Sequence, residues 1–221
     1  MTPTIAPTLR AERACWEAGD GVVVGIDEVG RGAWAGPVTV AALVVPDDRR
    51  IYKVRDSKVL TRTEREALYG RIVEWAPCHA VGHATHAECD ALGMTAALRL
   101  AGHRALDALS GAGFAPDRVL LDGQFDYLRL GERVTTIVKG DASSLGIAAA
   151  SVVAKVTRDR MMATEAEHYP GFGFETNVGY PSPQHQAALA FYGPTSIHRR
   201  SWIFMDALPW FRRGAAQASL F

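Results

Sequence analysis

Long apolar runs, clustered cysteines and a net charge are all missing from this sequence of 221 residues. No stretch approaches the about 20 apolar residues of a membrane span, and residues 1–10 lack the charged-then-apolar pattern of a secretory leader. The three cysteines, Cys15, Cys78 and Cys89, are odd in number and lack metal-ligand spacing, which indicates free thiols in a reducing compartment. We therefore expect a cytoplasmic protein with no membrane partner.

The balance of 24 basic and 24 acidic residues argues against a protein that coats nucleic acid by bulk attraction. A local basic groove remains open, because the basic residues cluster. The clusters are Arg49, Arg50, Lys53, Arg55 and Lys58, and then Arg199 and Arg200.

The composition that is present, 48% apolar and 22% charged residues, is typical of a folded globular protein. The length suits one domain with a short appendage. We expect a loose N-terminal arm over residues 1–18 that carries no chemistry, a main domain over 19–211 and a flexible tail over 212–221.

Periodicity predicts an α/β protein. The expected strands are Val22–Ile26, Val38–Val45, His79–His86, Arg118–Leu121 and Val134–Val138. The expected helices are a helix capped by Thr61 that ends near Trp75, Glu88–Ser110, a long one from Ser143 or Ser144 to His168, Gln184–Phe191 and Ile203–Phe211. The three histidines of the third strand suggest a metal site, but solvent-facing histidines are expected there.

The stretch Gly21–Val45 organises the chain, because its first strand is apolar throughout and ends in Asp27 and Glu28. Two charges at the end of a buried strand are costly unless a metal, a cation or a proton holds them. The glycines that follow, Gly30 and Gly32, let a backbone approach a ligand closely. This pattern favours a site over the alternative, a hairpin whose acids face water.

Two further predicted strands are also followed by acids, Asp122 and Asp141. Taken singly, each acid fits a turn. Together they suggest four carboxylates at one sheet edge, which cannot all stay ionised unaided. Oxygen ligands alone select Mg²⁺ or Mn²⁺, and a pair of such ions is the usual device for phosphodiester hydrolysis. A metal-free carboxylate glycosidase fits the acids equally well but leaves the basic clusters unexplained.

Several motifs in order resemble those of bacterial ribonuclease HII and spread over roughly Val22 to Ser201. They are GIDEVGRGAWAGPVTVAA, DSKVL, LLDG, KGDASSLGIAAASVVAKVTRD, GFGFETNVGYPSPQH and GPTSIHRRSW. The resemblance implies a ribonuclease-H-like fold, a five-stranded mixed sheet flanked by helices with a helical C-terminal portion. It implies an endonuclease that cuts the RNA strand of RNA–DNA hybrids and nicks duplex DNA on the 5′ side of single ribonucleotides, leaving a 3′-hydroxyl and a 5′-phosphate.

Carried over by position, the resemblance makes Asp27, Glu28, Asp122 and Asp141 the catalytic metal ligands. It implies that Gly30-Arg31-Gly32 reads the ribose 2′-hydroxyl, which both donates and accepts hydrogen bonds. Tyr180 is similar to a tyrosine that packs on the sugar. Lys58 is expected to contact a phosphate, as is much of the basic group near it in the sequence.

The chain departs from the family pattern at Val59, Val178 and Ser182. The first two replace usually polar or basic residues, which should weaken the grip on the nucleic-acid backbone and flatten the salt dependence of binding. The third replaces a usual threonine.

The C-terminal residues Gln217, Leu220 and Phe221 resemble the short motif by which bacterial DNA-processing proteins dock on the replication sliding clamp. Two apolar anchors and a glutamine on a flexible tail suit a pocket of that kind. A chance match, or a tail that folds back, stays open, as does a non-catalytic adaptor tethered through this tail.

Overall fold

The computed structural model describes residues 6–55 and 57–208 and contains a five-stranded mixed sheet. The strands are β1 Val23–Val29, β2 Val38–Val44, β3 His79–Ala84, β4 Arg118–Asp122 and β5 Val134–Ile137, in the spatial order β3-β2-β1-β4-β5. Strand β1 runs antiparallel to β2 and parallel to β4, which is parallel to β5. The predicted fold class, a mixed sheet with flanking helices, is confirmed.

Eight α-helices accompany the sheet in the described part of the chain. They are α1 Arg10–Glu17, α2 Arg62–Trp75, α3 His86–Leu92, α4 Met94–Gly111, α5 Gly140–Ser143, α6 Leu145–His168, α7 Phe174–Asn177 and α8 Pro183–Tyr192. Short 3₁₀ helices lie at Ser57–Val59, Gly131–Arg133 and Ile203–Ala207. Among the residues described, no helix joins the length and apolar character that crossing a membrane requires.

The chain divides into two compact units. The first unit comprises the described residues of Met1–Val29, Thr39–His83 and Leu98–Thr157. Its core forms where the small apolar first half of α6 packs closely on β1, with a Cβ on Gly25 placed only 2.3 Å from the carbonyl carbon of Gly146. Only glycine fits at this approach, so the residue type sets the distance between helix and sheet.

The second unit comprises the described residues of Gly30–Val38, Ala84–Ala97 and Arg158–Phe221. Its core is aromatic, with the stacked rings of Phe172 and Phe174 at 5.4 Å beside Ala35, Met162 and Leu189. This unit contains the C-terminal helices that the resemblance implied.

The expected helix over residues 88–110 is wrong as one element, because it breaks at Gly93, where φ is 76°. The α3 helix starts at a capping box, in which Thr85 and Glu88 exchange hydrogen bonds. The last expected helix is instead the 3₁₀ segment Ile203–Ala207 within the described residues.

The arm expected to be loose is instead packed over its described residues. Leu9 is 4% exposed and belongs to the core of the first unit. The backbone of Thr8 bonds to Ser143 and Leu145, which fastens the segment to the start of α6. The expected tail lies outside the described residues.

Candidate active site

Parallel pairing places two of the expected acids at the same edge of the sheet. The pairing of β1 with β4 ends where Ile26 lies opposite Leu121. The next residues, Asp27 and Asp122, are therefore neighbours at the end of this pairing. Asp27 and Glu28 lie inside β1, which runs on to Val29, rather than beyond the end of the strand as expected.

The Asp27 carboxyl is buried, with 4% of the residue exposed. It accepts hydrogen bonds from the Glu28 N–H, at 2.8 Å, and from the Ser151 side chain. Burial, and then the neighbouring charges of Glu28 and Asp122, raise the pKa of Asp27 well above its usual value. Like charges around one buried carboxyl make a site that a cation or a proton would stabilise.

A hydrogen bond from a backbone N–H to the Asp122 side chain brings the segment that contains Asp141 to the end of β4. The Asp122 Oδ1 accepts the Gly140 N–H at 2.7 Å, and Asp141 follows directly in the first turn of α5. Asp141 is buried, with 7% exposed. It lies in a helix after β5 and not at the strand end that the sequence suggested.

The donor set fits a hard divalent cation in its chemistry, since the ligands are carboxylates alone. Over residues 6–55 and 57–208, no three His, Cys, Asp or Glu side chains already stand as a metal-binding group. The charges of Asp27, Glu28 and Asp122 therefore interact with one another, although their side chains are not already arranged as a set of metal ligands.

On β3, His83 bonds to the Thr39 hydroxyl at 2.9 Å, so this half-buried histidine does not simply face solvent as expected.

The segment Gly30-Arg31-Gly32, which the resemblance implies reads the ribose, lies in the second unit. The Gly30 N–H donates to the Tyr180 hydroxyl at 3.0 Å. The φ of Gly30 is 88°, and a Cβ there would lie 2.3 Å from the Arg158 Nε. Both facts exclude other residues without a shift of this loop. The two predicted recognition elements, Gly30 and Tyr180, thus meet directly.

Two arginines hold this loop from within. The Arg158 guanidinium, wholly buried, donates to the carbonyls of Pro37, Val178 and Ala35 at 2.9, 2.7 and 3.0 Å. It also lies 5.5 Å from the centre of the Tyr180 ring. Burial lowers the pKa of Arg158 to about 10, so it stays charged at neutral pH.

The second arginine, Arg199, is 1% exposed and donates to the carbonyls of Gly36 and Arg31, both at 3.0 Å. Burial lowers its pKa as well. Its bond to Arg31 acts on the middle residue of the predicted Gly30-Arg31-Gly32 reader. Arg199 therefore fixes the backbone of that segment at Arg31, and Arg158 holds the chain that follows it at Ala35 and Pro37.

A chain of hydrogen bonds through two buried histidines ends at the backbone carbonyl of Tyr180. The Thr195 N–H donates to the His198 Nδ1 at 2.9 Å, and because a backbone N–H only donates, the His198 proton sits on Nε2. That nitrogen faces the His185 Nε2 at 2.9 Å, and the His185 Nδ1 then donates to the Tyr180 carbonyl at 2.9 Å. Burial lowers the pKa of both rings, that of His198 to about 3.

Sequence reasoning missed Glu12, which is fully buried in α1. Its Oε1 accepts from the Ser144 hydroxyl at 2.6 Å and the Gly146 N–H at 2.8 Å, so it caps the long helix α6. No local pattern marks a glutamate for this role. The side chain of Lys58 and the tail residues Gln217, Leu220 and Phe221 lie outside what the structure describes.

The structure describes the surroundings of the three residues that depart from the family pattern. Val59 is 59% exposed, which fits a position where a polar residue is usual. Val178 has φ 46°, a strained conformation for a β-branched residue. Ser182 caps α8 by accepting the His185 N–H at 3.1 Å, a bond that threonine would also make.

Three solved structures that resemble this chain are a ribonuclease H2, an RNase HII and an RNase HIII. The crystal structure of the ribonuclease H2 from Pyrococcus horikoshii OT3 has a TM-score of 0.65 and 27% identity, covering 87% of this chain and 99% of that one. The RNase HII in the PCNA:RNase HII complex from Archaeoglobus fulgidus has a TM-score of 0.67 and 26% identity, over 82% of this chain and 95% of that one. Bst-RNase HIII in complex with Mn²⁺ shares the fold, with a TM-score of 0.65 at 22% identity over 91% of this chain and 73% of that one.

The chain belongs to the ribonuclease HII family. The family model for ribonuclease HII matches residues 24–205. Ribonuclease HII of Streptomyces avermitilis is 51% identical over 211 residues, which is 96% of this chain and 87% of that protein. Ribonuclease HII of Thermosynechococcus vestitus is 45% identical over 194 residues, 87% of this chain and 88% of that protein. The predicted resemblance is confirmed.

Proposed function

We propose that this protein is a divalent-metal-dependent endonuclease that cleaves the RNA strand of RNA–DNA hybrids and incises duplex DNA 5′ of single embedded ribonucleotides. The observation that carries the proposal is the buried carboxyl of Asp27, whose pKa is raised by burial and by the acids Glu28 and Asp122. In a ribonuclease HII family member, such a cluster is suited to hold Mg²⁺ or Mn²⁺.

The four acids share this role in the proposal. Asp27, Glu28, Asp122 and Asp141 would hold the ions, with Ser151 and the Glu28 N–H orienting the Asp27 carboxyl. Divalent ions bound there would supply an activated water and stabilise the leaving oxygen, which yields a 3′-hydroxyl and a 5′-phosphate. The Mn²⁺ complex of Bst-RNase HIII supports a divalent ion of this kind.

Recognition of the ribose falls to the loop of the second unit. A 2′-hydroxyl needs both a donor and an acceptor, and the backbone of Gly30-Arg31-Gly32 offers both types of group. The bond from the Gly30 N–H to the Tyr180 hydroxyl supports a joint role, with the Tyr180 ring packing on the sugar. Lys58 is proposed as a phosphate contact.

The tail and the compartment complete the proposal. Gln217, Leu220 and Phe221 would dock on the replication sliding clamp, a partner class supported by the PCNA complex of the Archaeoglobus fulgidus enzyme. Binding of a tail peptide to the clamp, with Leu220→Ala and Phe221→Ala as controls, tests this point. The free cysteines Cys15, Cys78 and Cys89 support a cytoplasmic location.

The deciding experiment measures cleavage of a duplex that contains one ribonucleotide, beside an all-deoxy duplex, with and without Mg²⁺. We expect a single metal-dependent nick 5′ of the ribonucleotide and none in the all-deoxy duplex. Asp27→Asn should abolish cleavage and leave substrate binding largely intact. Cleavage in a chelator, or turnover by Asp27→Asn, would refute the metal role; binding without cleavage would favour an adaptor.

A further inference from the structure

Seven exposed basic side chains line adjoining surface clefts of the first unit, and we name six of them, all except Arg49, the basic track. They are Arg10, Arg13, Arg50, Arg71, Lys53 and Arg55. Two of them join the clefts: Arg50 lines both the first cleft and the second, and Arg71 lines both the second and the third. The positive charge is therefore continuous along one surface, rather than scattered.

The track concentrates a charge that the whole chain lacks, since 24 basic and 24 acidic residues cancel overall. The acids that line the same clefts are Glu17, Glu74 and Glu64. The Glu64 carboxylate accepts the N–H and the hydroxyl of Thr61, both at 2.7 Å, which ties it into the cap of α2. The track thus keeps a local excess of positive charge.

The segment that carries the centre of the track is held in place. The Arg49 Nε donates to the Trp75 carbonyl at 3.1 Å, and the Trp75 Nε1 returns a bond to the Arg49 carbonyl at 3.2 Å. The Arg71 Nη2 donates to the Tyr52 carbonyl at 3.0 Å. Arg49 and Arg71 therefore both hold this segment, which presents its basic side chains without a large cost of ordering.

An exposed aromatic ring interrupts the basic track. Tyr52 is 70% exposed, although a tyrosine of its size usually packs at least one face. Cations beside an exposed ring suit a nucleic acid, since phosphates pair with the cations and the ring can pack on a sugar or on an unstacked base.

Hydrogen bonds connect the chain just after the basic track to the carboxylate site. Arg55 precedes Ser57 by two residues, and the Ser57 hydroxyl bonds to the Ser151 hydroxyl at 2.7 Å. Ser151 in turn bonds to the Asp27 carboxyl. The chain two residues after Arg55 is therefore tied through Ser57 and Ser151 to the proposed catalytic acid, and the other end of the track lies at Arg10 and Arg13 of α1.

We propose that the basic track binds the phosphate backbone of the nucleic acid that flanks the cleavage site. The inference rests on the proposed function and adds a second contact surface outside the reacting nucleotide. Its signature is a dependence on substrate length, because only a substrate long enough to reach Arg50 and Arg71 gains from the track. Each lost phosphate contact should lower the slope of log K against log salt by about 0.9.

The test measures binding by fluorescence anisotropy with labelled duplexes of about 8 and about 24 base pairs that contain one ribonucleotide, in the full chain without divalent ions so that no cleavage occurs. For Arg50→Ala/Arg71→Ala we expect about a tenfold rise in Kd for the long duplex and little change for the short one. The salt slope on the long duplex should fall by about 2. The charge-keeping variant Arg50→Lys/Arg71→Lys should bind almost as wild type, which excludes a folding defect.

The matched control is Arg133→Ala, an exposed arginine directly before β5 that lines none of these three clefts and should change neither Kd nor slope. Equal losses for both duplex lengths, or for the lysine and alanine variants, would overturn the proposal. So would an unchanged salt slope, whatever the protein cleaves. A wild type that binds the long duplex through the track but nicks no ribonucleotide would instead overturn the proposed function alone.

Discussion

Replacement of Arg158 by methionine tests whether a buried cation holds the recognition loop together. Methionine keeps much of the apolar stem but removes the donors to the carbonyls of Pro37, Val178 and Ala35. A hydrogen bond from a charged donor contributes about 1.5–3 kcal/mol, so three would contribute several kcal/mol. Relief from burying the guanidinium offsets part of this loss.

The net effect expected for Arg158→Met is a fall of about 3–5 kcal/mol in the free energy of unfolding. For a chain of this length, that corresponds to a melting temperature lower by about 10 °C. Relaxation of the strained Val178 backbone, with φ 46°, offsets a further part of the loss, because the guanidinium anchors the Val178 carbonyl. Arg158→Lys, with a single ammonium in place of the fork, should recover about half.

The assay is denaturant unfolding followed by circular dichroism, beside steady-state cleavage at a temperature where every variant is folded. The matched control is Arg160→Met, on the exposed side of the same helix, which should cost less than about 0.5 kcal/mol. In cleavage, we expect Arg158→Lys to raise KM more than it lowers kcat, because the loop binds rather than reacts. An Arg158→Met protein within about 1 kcal/mol of wild type would refute the reasoning.

Three further predictions concern other residues of the two units. Gly30→Val should reduce cleavage at a single ribonucleotide by at least about 100-fold, because a Cβ at this position would lie 2.3 Å from the Arg158 Nε. Stability should fall as pH drops from 6.5 towards 5, by up to about 2 kcal/mol for His198, because burial lowers its folded pKa to about 3 and the unfolded chain then binds the extra proton. Glu12→Ala should cost about 2 kcal/mol of unfolding free energy through loss of the cap on α6, and Glu12→Gln less than about 1, because the amide oxygen still accepts.

Each of these has its own control. Gly32→Ala, where the nearest side-chain atom to an added Cβ is 3.9 Å away, should be far milder than Gly30→Val, and equal losses would contradict the steric argument. Above pH 6.5 the contribution of His198 is fully present, and a His198→Gln protein should lose this part of the slope between pH 7 and 5; an unchanged slope would exclude the histidine. For Glu12, melting curves that do not separate the alanine and glutamine variants would rule out a capping role.

Much of the fold follows from local sequence signals. The apolar run before Asp27 predicts a buried strand, and the Thr61–Glu64 pair predicts the start of α2, where both bonds of the capping box are present. The meeting of Asp27 and Asp122 follows from topology, since parallel strands end at one edge. These features depend on neighbours in the sequence or on one general rule of sheets.

The parts that could not be predicted depend on contacts between distant residues. The bond of Glu12 to Gly146 spans 134 positions, and that of Arg199 to Gly36 spans 163. No periodicity distinguishes these charged residues from surface ones, since a helix pattern records only which positions are apolar. The sequence does not predict the break at Gly93, because residues typical of helices continue on both sides of it.

The cap that Glu12 provides has a consequence for how the protein matures on the ribosome. The capping glutamate is synthesised early, but the helix end that it serves, at Gly146, follows 134 residues later. At about 5–20 residues per second, the nascent N-terminal helix waits roughly 7–27 s for its partner. During that interval the carboxylate stays hydrated, and the core of the first unit closes only when the second half of the chain arrives.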